Sequence, residues 1–296
     1  MSLKDIKLNK IIKDEFGRIS GILALNKPSG ITSHDLVDKV RNKFNIRRVG
    51  HAGALDPFAT GVMLILVGKA TKLSQKLLIL DKEYEFDILF GISTDTQDPE
   101  GRIQISNNKL QINYNYQITK PKLLKVLDSF KDEYYQQMPI YSSIKIDGTR
   151  LREYARASKD IEKITKNDKS FAIFILDTNS RVYKRLKRRK KLRSTKIEIE
   201  IPKRKTDIKD IKLLKLNTID SQKLKFINDK IVKNQEFQIA KIRARVSKGT
   251  YIRQLAEDIG RELGNIPAML YTLERTKIGK ITINNTVDLE KVIRNI

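Results

Sequence analysis

The sequence has no cysteine and only two histidines, His34 and His51, among its 296 residues. The lack of cysteine excludes disulfide bonds, cysteine-ligated zinc and iron–sulfur sites, and every mechanism that uses a thiol nucleophile. The two histidines are not spaced at i and i+4, as a helical metal site would require, so a histidine-rich metal centre is not expected. A polar catalyst in this chain is therefore expected to be a carboxylate.

Long apolar runs are missing as well. The longest, residues 62–67, is far shorter than the roughly 20 residues that cross a bilayer, so no transmembrane segment is predicted. The first residues of the chain carry Asp5, Asp14 and Glu15 among their lysines. They lack the continuous apolar stretch of a signal peptide, which argues against a secretory signal. Residues 1–20 are interpreted as an N-terminal lead-in, and a cytoplasmic location is expected.

Acidic residues are in clear deficit. The chain has 35 Asp and Glu against 60 Lys and Arg, which gives a formal net charge of +25 and a pI near 10.0. Each Lys or Arg set against a phosphate releases condensed counterions, so this surplus favours a polyanionic partner over a small acidic metabolite. The apolar share of 40% is sufficient for a core in one or two domains.

Hydrophobic periodicity predicts both helices and strands along the whole chain. Apolar residues at helical spacing predict helices over about 33–45, 70–80, 122–132 and 252–263. Apolar runs and alternation predict strands over 22–25, 62–67, 84–90 and 242–246. The interleaved elements indicate an α/β (α+β) fold with a mixed, mainly antiparallel central sheet and flanking helices.

A basic tract interrupts this pattern. Eight of the ten residues at 184–193 are Lys or Arg, within a segment of shifted composition from about 159 to 204. Like charges at this density repel one another, so the segment is expected to be an extended or mobile insertion. Two interpretations stay open, an arm that contacts phosphates and a merely solvated basic surface.

A glycine-bearing loop, residues 50–61, contains Asp56 directly before Pro57. A proline biases the preceding residue towards an extended backbone, which can hold its side chain outward from a strand edge. This arrangement suits a presented carboxylate nucleophile. An aspartate beside a proline is also a common turn former, and the loop alone leaves both interpretations open.

The same loop resembles the catalytic loop of the TruB family, the bacterial tRNA pseudouridine-55 synthases, whose usual pattern is Gly-His-Thr-Gly-x-Leu-Asp-Pro-x-Ala-x-Gly. Six further family blocks surround it in the family order: Lys27-Pro28 with Gly30, Lys82-Glu83-Tyr84, residues 94–101, residues 136–156, residues 247–260 and Leu273-Glu274-Arg275-Thr276 with Gly279. The resemblance covers roughly residues 21–158 and 205–291. It implies the pseudouridine synthase fold.

The resemblance implies that a uridine in the T loop of tRNA is isomerised to pseudouridine, without a metal or an organic cofactor. In the family's mechanism the motif aspartate, here Asp56, is the nucleophile, either by attack on the sugar or by a glycal route. Arg253 corresponds to the arginine that keeps this carboxylate ionised. Tyr84 corresponds to the tyrosine that stacks on the target base near its C5 proton. Without the resemblance, Arg253 would be interpreted as an exposed helical cation and Tyr84 as a core aromatic.

Four further positions correspond to substrate-binding residues of the family. A uridine stacked in an RNA loop must be flipped out before it can react. His51 corresponds to the histidine that packs against the flipped region, and Lys27 belongs to the Lys-Pro turn, where it supports the backbone or contacts RNA. Tyr251 and Leu273 correspond to residues that line the base pocket. Read alone, these four would be ordinary loop or core residues.

Among the departures from the family pattern, two lead to an expectation about RNA binding. Many members continue into a small C-terminal RNA-binding domain, whereas this sequence ends at Ile296, so residues 21–296 are interpreted as a catalytic domain without that addition. The insertion at about 159–204 has no counterpart in the pattern. We expect its basic tract to supply the missing phosphate contacts, through Lys184, Arg185, Arg188 and Arg189. The partner is thus expected to be the tRNA T stem-loop, with no membrane and no metal; the oligomeric state is left open.

Two other functions remain as alternatives. A non-catalytic RNA-binding or tRNA-folding protein on the same scaffold would account for the charge, with Asp56 as a turn residue only. A glycosidase acting on a nucleoside would also use a carboxylate, but such enzymes need a paired acid and have no use for this charge. The complete set of Asp56, Tyr84 and Arg253 favours the synthase.

Overall fold

The computed structural model describes residues 8–13, 15–103, 105, 106, 109, 110, 117–189, 192, 194–224 and 235–292. Its strands are β1 Ile11–Lys13, β2 Ile19–Lys27, β3 Val49–His51, β4 Thr60–Val67, β5 Lys82–Phe90, β6 Ile105–Ser106, β7 Lys109–Leu110, β8 Asp132–Gln137, β9 Lys145–Ile146, β10 Thr149–Arg150, β11 Ser158–Lys166, β12 Lys169–Leu176, β13 Lys196–Glu200, β14 Lys203–Asp220, β15 Glu236–Val246, β16 Ala268–Ile278 and β17 Ile281–Thr282. Its helices are α1 Ser33–Lys43, α2 Ser74–Leu78, α3 Lys120–Ser129, α4 Leu151–Arg156, α5 Arg181–Arg188, α6 Ile252–Glu262 and α7 Leu289–Val292. None of the helices in these ranges has the length and hydrophobicity of a membrane-spanning segment.

A large sheet organises the described residues. Its strand order is β1-β2-β4-β16-β5-β15-β14-β8, with β3 beside β4 and β17 beside β16. The pairs β2–β4, β5–β16, β5–β15 and β14–β15 are antiparallel, and the short β4–β16 pair is parallel. The predicted mixed, mainly antiparallel sheet with flanking helices is therefore confirmed.

Local sequence patterns explain the elements that the prediction located correctly. In β5, Tyr84, Phe86 and Ile88 are buried at every second position, because a half-buried strand places alternate side chains on one face. In α1, a capping box between Thr32 and Asp35 satisfies the first backbone N–H groups. The apolar stripe of the same helix is buried, as its spacing requires.

Two predicted helices differ in extent from those in the structure. The segment predicted as a helix over 70–80 begins as a 3₁₀ helix, Gly68–Leu73, and becomes α-helical only in α2. The helix predicted over 122–132 ends at Ser129 as α3. Asp132 has a φ of 66°, which is left-handed backbone that cannot continue a helix, and β8 starts there.

The chain divides into two compact units. The second unit consists of Tyr135–Lys205 together with Tyr251–Leu255, and the first contains the remaining residues. In the second unit, β11, β12 and β13 form an antiparallel sheet, and β9 pairs with β10. A core of Tyr154, Phe174, Leu176, Val182 and Leu186, among others, packs this sheet against α4 and α5.

The expectation of an extended or mobile segment at 159–204 is wrong for the part that the structure describes. Val182 and Leu186 lie one helical turn apart and are buried, so α5 has an apolar face that the density of cations conceals in the sequence. The cations of α5 lie mostly on its exposed side. Three members of the basic tract, Lys190, Lys191 and Arg193, lie outside the described residues.

Candidate active site

The loop that contains Asp56 is held by its backbone carbonyls. This loop joins β3 to β4, and every carbonyl oxygen of residues 53–59 accepts a hydrogen bond. Six of these acceptors are bound by the side chains of Arg275, Ser33, Lys27 and Ser29. The seventh, Asp56 O, accepts from the backbone N–H of Ala59 at 3.1 Å. The loop backbone is therefore fixed on both sides of Asp56, whose side chain is half-buried.

Lys27 is one of the two buried cations that hold this loop. Its side chain is fully buried, and Nζ donates to the carbonyl oxygens of Pro28, Pro57 and Ala59 at 2.8, 2.9 and 2.7 Å. Burial lowers the pKa of Lys27, and the Asp56 carboxylate acts in the opposite direction. An ammonium has three N–H donors, and here all three are engaged by carbonyls. Of the two roles predicted for Lys27, the geometry matches backbone support.

Arg275 is the second buried cation, and it is not among the predicted site residues. Only 1% of Arg275 is exposed; its Nε donates to Val62 O at 2.8 Å, Nη2 to Gly53 O at 3.1 Å and Nη1 to Ala54 O at 3.3 Å. Gly61 lies against its backbone: φ is 108°, and a Cβ there would be 2.3 Å from Arg275 O. The signal that was available is an arginine two residues after Leu273, at an inward position of a strand.

Tyr84 and Leu273 lie on the strands next to this loop anchor. In the β5–β16 register, Tyr84 is opposite Arg275 and Phe86 is opposite Leu273. Both Tyr84 and Leu273 are buried, with 9% and 8% of their surface exposed. Residues directly opposite in an antiparallel pair share a face, with Cβ atoms about 5 Å apart. The first unit thus brings Tyr84, Leu273, Lys27 and the Asp56 loop together around Arg275.

Leu273 also lines an open groove of about 460 Å³ in the first unit. Phe58 and Thr60, close to Asp56 in the chain, line the same groove, and Glu85 and Lys241 contribute charge to it. Asp56 and Tyr84 themselves are outside its lining. Within the described ranges no set of three or more His, Asp or Glu side chains is arranged to hold a metal ion.

His51 lies at the end of β3, where it pairs with Ile65 of β4. It is half-buried, and its buried Nδ1 has no hydrogen-bond partner in the part of the chain that the structure describes. Burial lowers the pKa of His51 below 6.5, and the positive charge of Arg275 acts in the same direction. The imidazole is accordingly neutral at pH 7.

The lowered pKa of His51 predicts a stability loss in mild acid. Below pH 6.5 the unfolded chain takes up a proton on this residue while the folded protein does not, so the free energy of unfolding falls as the pH falls. We expect a shallower fall in His51→Gln than in the wild type, measured by urea denaturation between about pH 5 and 7. His34→Gln is the matched control, because that imidazole is exposed. Equal pH profiles for wild type and His51→Gln would contradict the prediction.

Tyr251 and Arg253 belong to the second unit. The side-chain amide of Gln136 fixes the backbone of Tyr251, since its Nε2 donates to Tyr251 O at 2.8 Å and its Oε1 accepts from Tyr251 N at 2.7 Å. Arg253 is the second residue of α6 and is 5% exposed; its Nη2 donates to Tyr141 O at 3.2 Å. Both predicted residues are therefore ordered by contacts within this unit.

The four cations predicted to bind RNA lie on α5 or at its end, and they are not equivalent. Lys184, Arg188 and Arg189 are exposed. Arg185 is half-buried, and its Nη2 donates to Glu153 at 3.0 Å and to Thr149 Oγ1 at 3.2 Å. Because its guanidinium is engaged inside the second unit, Arg185 differs from the other three.

Comparison with known proteins agrees with the sequence motifs. Residues 41–187 match the family described as TruB family pseudouridylate synthase (N terminal domain). The tRNA pseudouridine synthase B of Caldanaerobacter subterraneus subsp. tengcongensis is 32% identical over 274 residues, which are 93% of this chain and 74% of the relative. The enzyme of the same name from Aquifex aeolicus is 31% identical over 275 residues, again 93% of this chain and 74% of the relative.

A solved structure shares the fold. The chain in the crystal structure of a Cbf5-Nop10-Gar1 complex superposes with a TM-score of 0.52 at 20% identity. The match covers 91% of the present chain, which spans about half (52%) of that chain. The Caldanaerobacter relative is above 30% identity and aligns over most of both sequences. This chain therefore belongs to the TruB family of pseudouridylate synthases.

Proposed function

We propose that this protein converts a uridine of tRNA to pseudouridine, with Asp56 as the nucleophile. The observation that carries the proposal is the anchoring of residues 53–59, in which seven consecutive carbonyls are bound and one carboxylate is held between them. The names of the relatives, tRNA pseudouridine synthase B, support the substrate and the reaction. A fixed loop suits covalent catalysis, because the nucleophile must meet one carbon of the substrate at a defined angle.

The proposed reaction is an isomerisation that needs no second substrate. The N1–C1′ glycosidic bond of the uridine breaks, the base turns within the site, and its C5 forms a new bond to C1′. C5 loses a proton and N1 gains one, so atoms and electrons balance without an oxidant, a reductant or a cofactor. The carboxylate of Asp56 assists the break, by attack on the sugar or by a glycal route.

The other site residues are assigned from the family pattern. Tyr84 stacks on the base and lies near the C5 proton, a role that its position on β5 opposite Arg275 supports. Leu273 and Tyr251 correspond to the residues that line the base pocket in the family, and His51, a neutral imidazole, corresponds to the one that packs against the flipped region. Arg253 corresponds to the arginine that accompanies the nucleophile in the family pattern. Lys27 supports the loop backbone.

The target that we propose is the uridine of the tRNA T loop, which has to leave its stack before it reacts. The experiment is pseudouridine formation on an unmodified tRNA transcript, next to a transcript in which cytidine replaces that uridine. We expect product from the first transcript and none from the second. A protein that binds both transcripts equally and forms no product would be the non-catalytic RNA-binding protein, and the proposal would fall. A tRNA substrate also favours the cytoplasm as the location.

We further propose that the exposed cations of α5 contact tRNA phosphates. Replacing Lys184, Arg188 and Arg189 together by glutamine is expected to weaken tRNA binding, because each lost phosphate contact removes about 0.7–0.9 from the slope of log affinity against log salt. Arg185 is left unchanged, since Glu153 binds it. A control replaces Lys166 and Lys169 by glutamine, two cations that already pair with Glu198 and Glu200. The same affinity and salt slope in the triple variant and the wild type would refute the role of α5.

A further inference from the structure

Strand β13 is an edge of the small sheet in the second unit. The strand order is β11-β12-β13, and among the described residues β13 pairs with β12 alone. Within this pair, Thr195 O accepts from Leu176 N at 2.9 Å, and Ile201 N donates to Ser170 O at 2.8 Å. The backbone groups of a strand point alternately to its two sides, and the register is unbroken. Odd-numbered residues of β13 therefore bond to β12, and even-numbered residues face away from the sheet.

Two of the even-numbered positions along this edge already have partners. Lys196 N donates to Ser194 Oγ at 3.2 Å, and the same hydroxyl donates to Lys196 O at 2.8 Å. Pro202 has no N–H, and its carbonyl oxygen accepts from Met138 N at 3.1 Å. Between them, in residues 198–200, the outward N–H and C=O groups of the two glutamates make no hydrogen bond to any described residue. The open part of the edge is thus one short segment.

A groove of about 280 Å³ runs along this open segment. Four consecutive residues, 197–200, line it. Because alternate side chains of a strand lie on opposite faces, a pocket that touches four in succession lies beside the backbone edge itself. The other lining residues are Ile146 and Asp147 of the β9–β10 hairpin, with Tyr154 and Leu186 of the core. The unpaired backbone groups and an apolar surface therefore share one opening.

The groove is acidic in a chain whose net charge is +25. Asp147, Glu198 and Glu200 contribute carboxylates, and none of the lining residues is basic. Lys166 and Lys169 pair with the two glutamates at 3.0 and 3.2 Å, but these ion pairs are exposed, and such pairs contribute little to stability. An incoming cation can therefore compete for the carboxylates. The same charges repel the phosphates of RNA.

We propose that the open edge of β13 is a docking site for a basic, extended segment of another protein, which adds to the sheet as a further antiparallel strand. The residues opposite Glu198 and Glu200 would each exchange two backbone hydrogen bonds with them. Opposite residues also share a face of the sheet, so a cation at these positions meets a carboxylate. Apolar residues opposite Ile197 and Ile199 meet the apolar lining of the groove. None of the residues assigned to catalysis or RNA binding lines this groove.

A second copy of the chain fits this edge less well. Outward-facing residues pair with outward-facing residues, so joining two open segments of 198–200 sets glutamate opposite glutamate. Like charges directly opposite one another are destabilising. The opposite edge strand, β11, suits the basic segment less well, because it carries Lys159, Lys163 and Lys166. The observations thus favour a basic partner at β13.

The test uses the labelled peptide Lys-Ile-Lys-Ile-Lys, whose binding to the protein is measured by fluorescence anisotropy. N-methylation of its lysines removes the N–H groups that would face β13. N-methylation of its isoleucines removes N–H groups that face away, so this peptide is the matched control with the same charge. We expect the lysine-methylated peptide to bind at least about fivefold more weakly than the control. Equal affinities would show that charge alone holds the peptide and would overturn strand addition.

Variants of the protein test the same site from the other side. Glu198→Gln combined with Glu200→Gln should weaken binding of the unmethylated peptide about threefold to tenfold. Glu162→Gln combined with Asp168→Asn removes two carboxylates of the same sheet outside the groove and should leave the affinity unchanged. Equal losses in the two double variants would place the peptide elsewhere.

Amide hydrogen exchange identifies the occupant of the edge. The peptide should slow exchange at the N–H groups of Glu198 and Glu200 and leave that of Ile199 unchanged, because Ile199 already bonds to β12. Protection of the two glutamates that rises with protein concentration without peptide would assign the edge to a second copy. Protection by tRNA would assign it to RNA, and either result would overturn the proposal.

Discussion

Asp56→Asn is expected to abolish pseudouridine formation on an unmodified tRNA transcript while leaving tRNA affinity within a few-fold of the wild type. Asparagine has nearly the shape of aspartate but neither its negative charge nor its nucleophilic oxygen, so the loss should reach at least about 10⁴-fold in single-turnover rate. The loop should keep its conformation, because six of its backbone carbonyls are bound by side chains that this substitution leaves in place. Retained binding is therefore part of the expected result.

The matched control for this prediction is Asp35→Asn. Asp35 is an exposed carboxylate that caps α1 through Thr32, so its replacement removes one negative charge of the same unit and should leave the rate unchanged. A fall in the Tm of Asp56→Asn by several degrees would mean that the carboxylate holds the loop. A substantial residual rate in a stable Asp56→Asn protein would refute the nucleophile assignment and revive the interpretation of Asp56 as a turn former.

Periodicity predicted the strands and helices that build the first unit because burial follows it there. Tyr84, Phe86 and Ile88 alternate and are buried, so β5 is read correctly from the sequence alone. The same rule failed in α5, where cations fill most positions and only Val182 and Leu186 mark the apolar face. Two buried residues one turn apart are too few to detect by counting, yet they are sufficient to dock a short helix on a core.

The candidate site was predicted in part. The motif residues were found because a family pattern names them, and periodicity alone would have assigned Tyr84 and Leu273 to the core. Arg275 was missed for a physical reason: its partner carbonyls, on Gly53 and Ala54, are 222 and 221 residues away in the chain. Only the parallel contact between β4 and β16 brings them together. The position of Arg275 in a strand pattern marks it as inward, but no local pattern can reveal that its partners are backbone atoms of a distant loop.

Of the single substitutions proposed, Arg275→Met should lower the free energy of unfolding the most. Methionine fills a similar volume but leaves the carbonyls of Gly53, Ala54 and Val62 buried without a donor, so we expect the free energy of unfolding to fall by about 4 kcal/mol. The activity of the remaining folded protein should fall too, because the Asp56 loop loses one of its two buried cations. Urea denaturation and single-turnover rates measure the two effects.

The matched control is Arg243→Met on β15, which is separated from β16 by β5 in the sheet. Arg243 is exposed and paired with Glu85 at 2.6 Å, and an exposed pair of this kind contributes no more than about 1 kcal/mol. A second readout tests the charge of Arg275 directly: burial and this charge lower the pKa of Lys82 to about 8, so the pKa of Lys82 should rise in Arg275→Met. Should Arg275→Met not fold, Arg275→Lys keeps the charge and should show an intermediate loss of stability, with the pKa of Lys82 still lowered. Equal losses of stability in Arg275→Met and Arg243→Met would show that the loop is held by its other anchors, Lys27 and Ser33, and that Arg275 is dispensable.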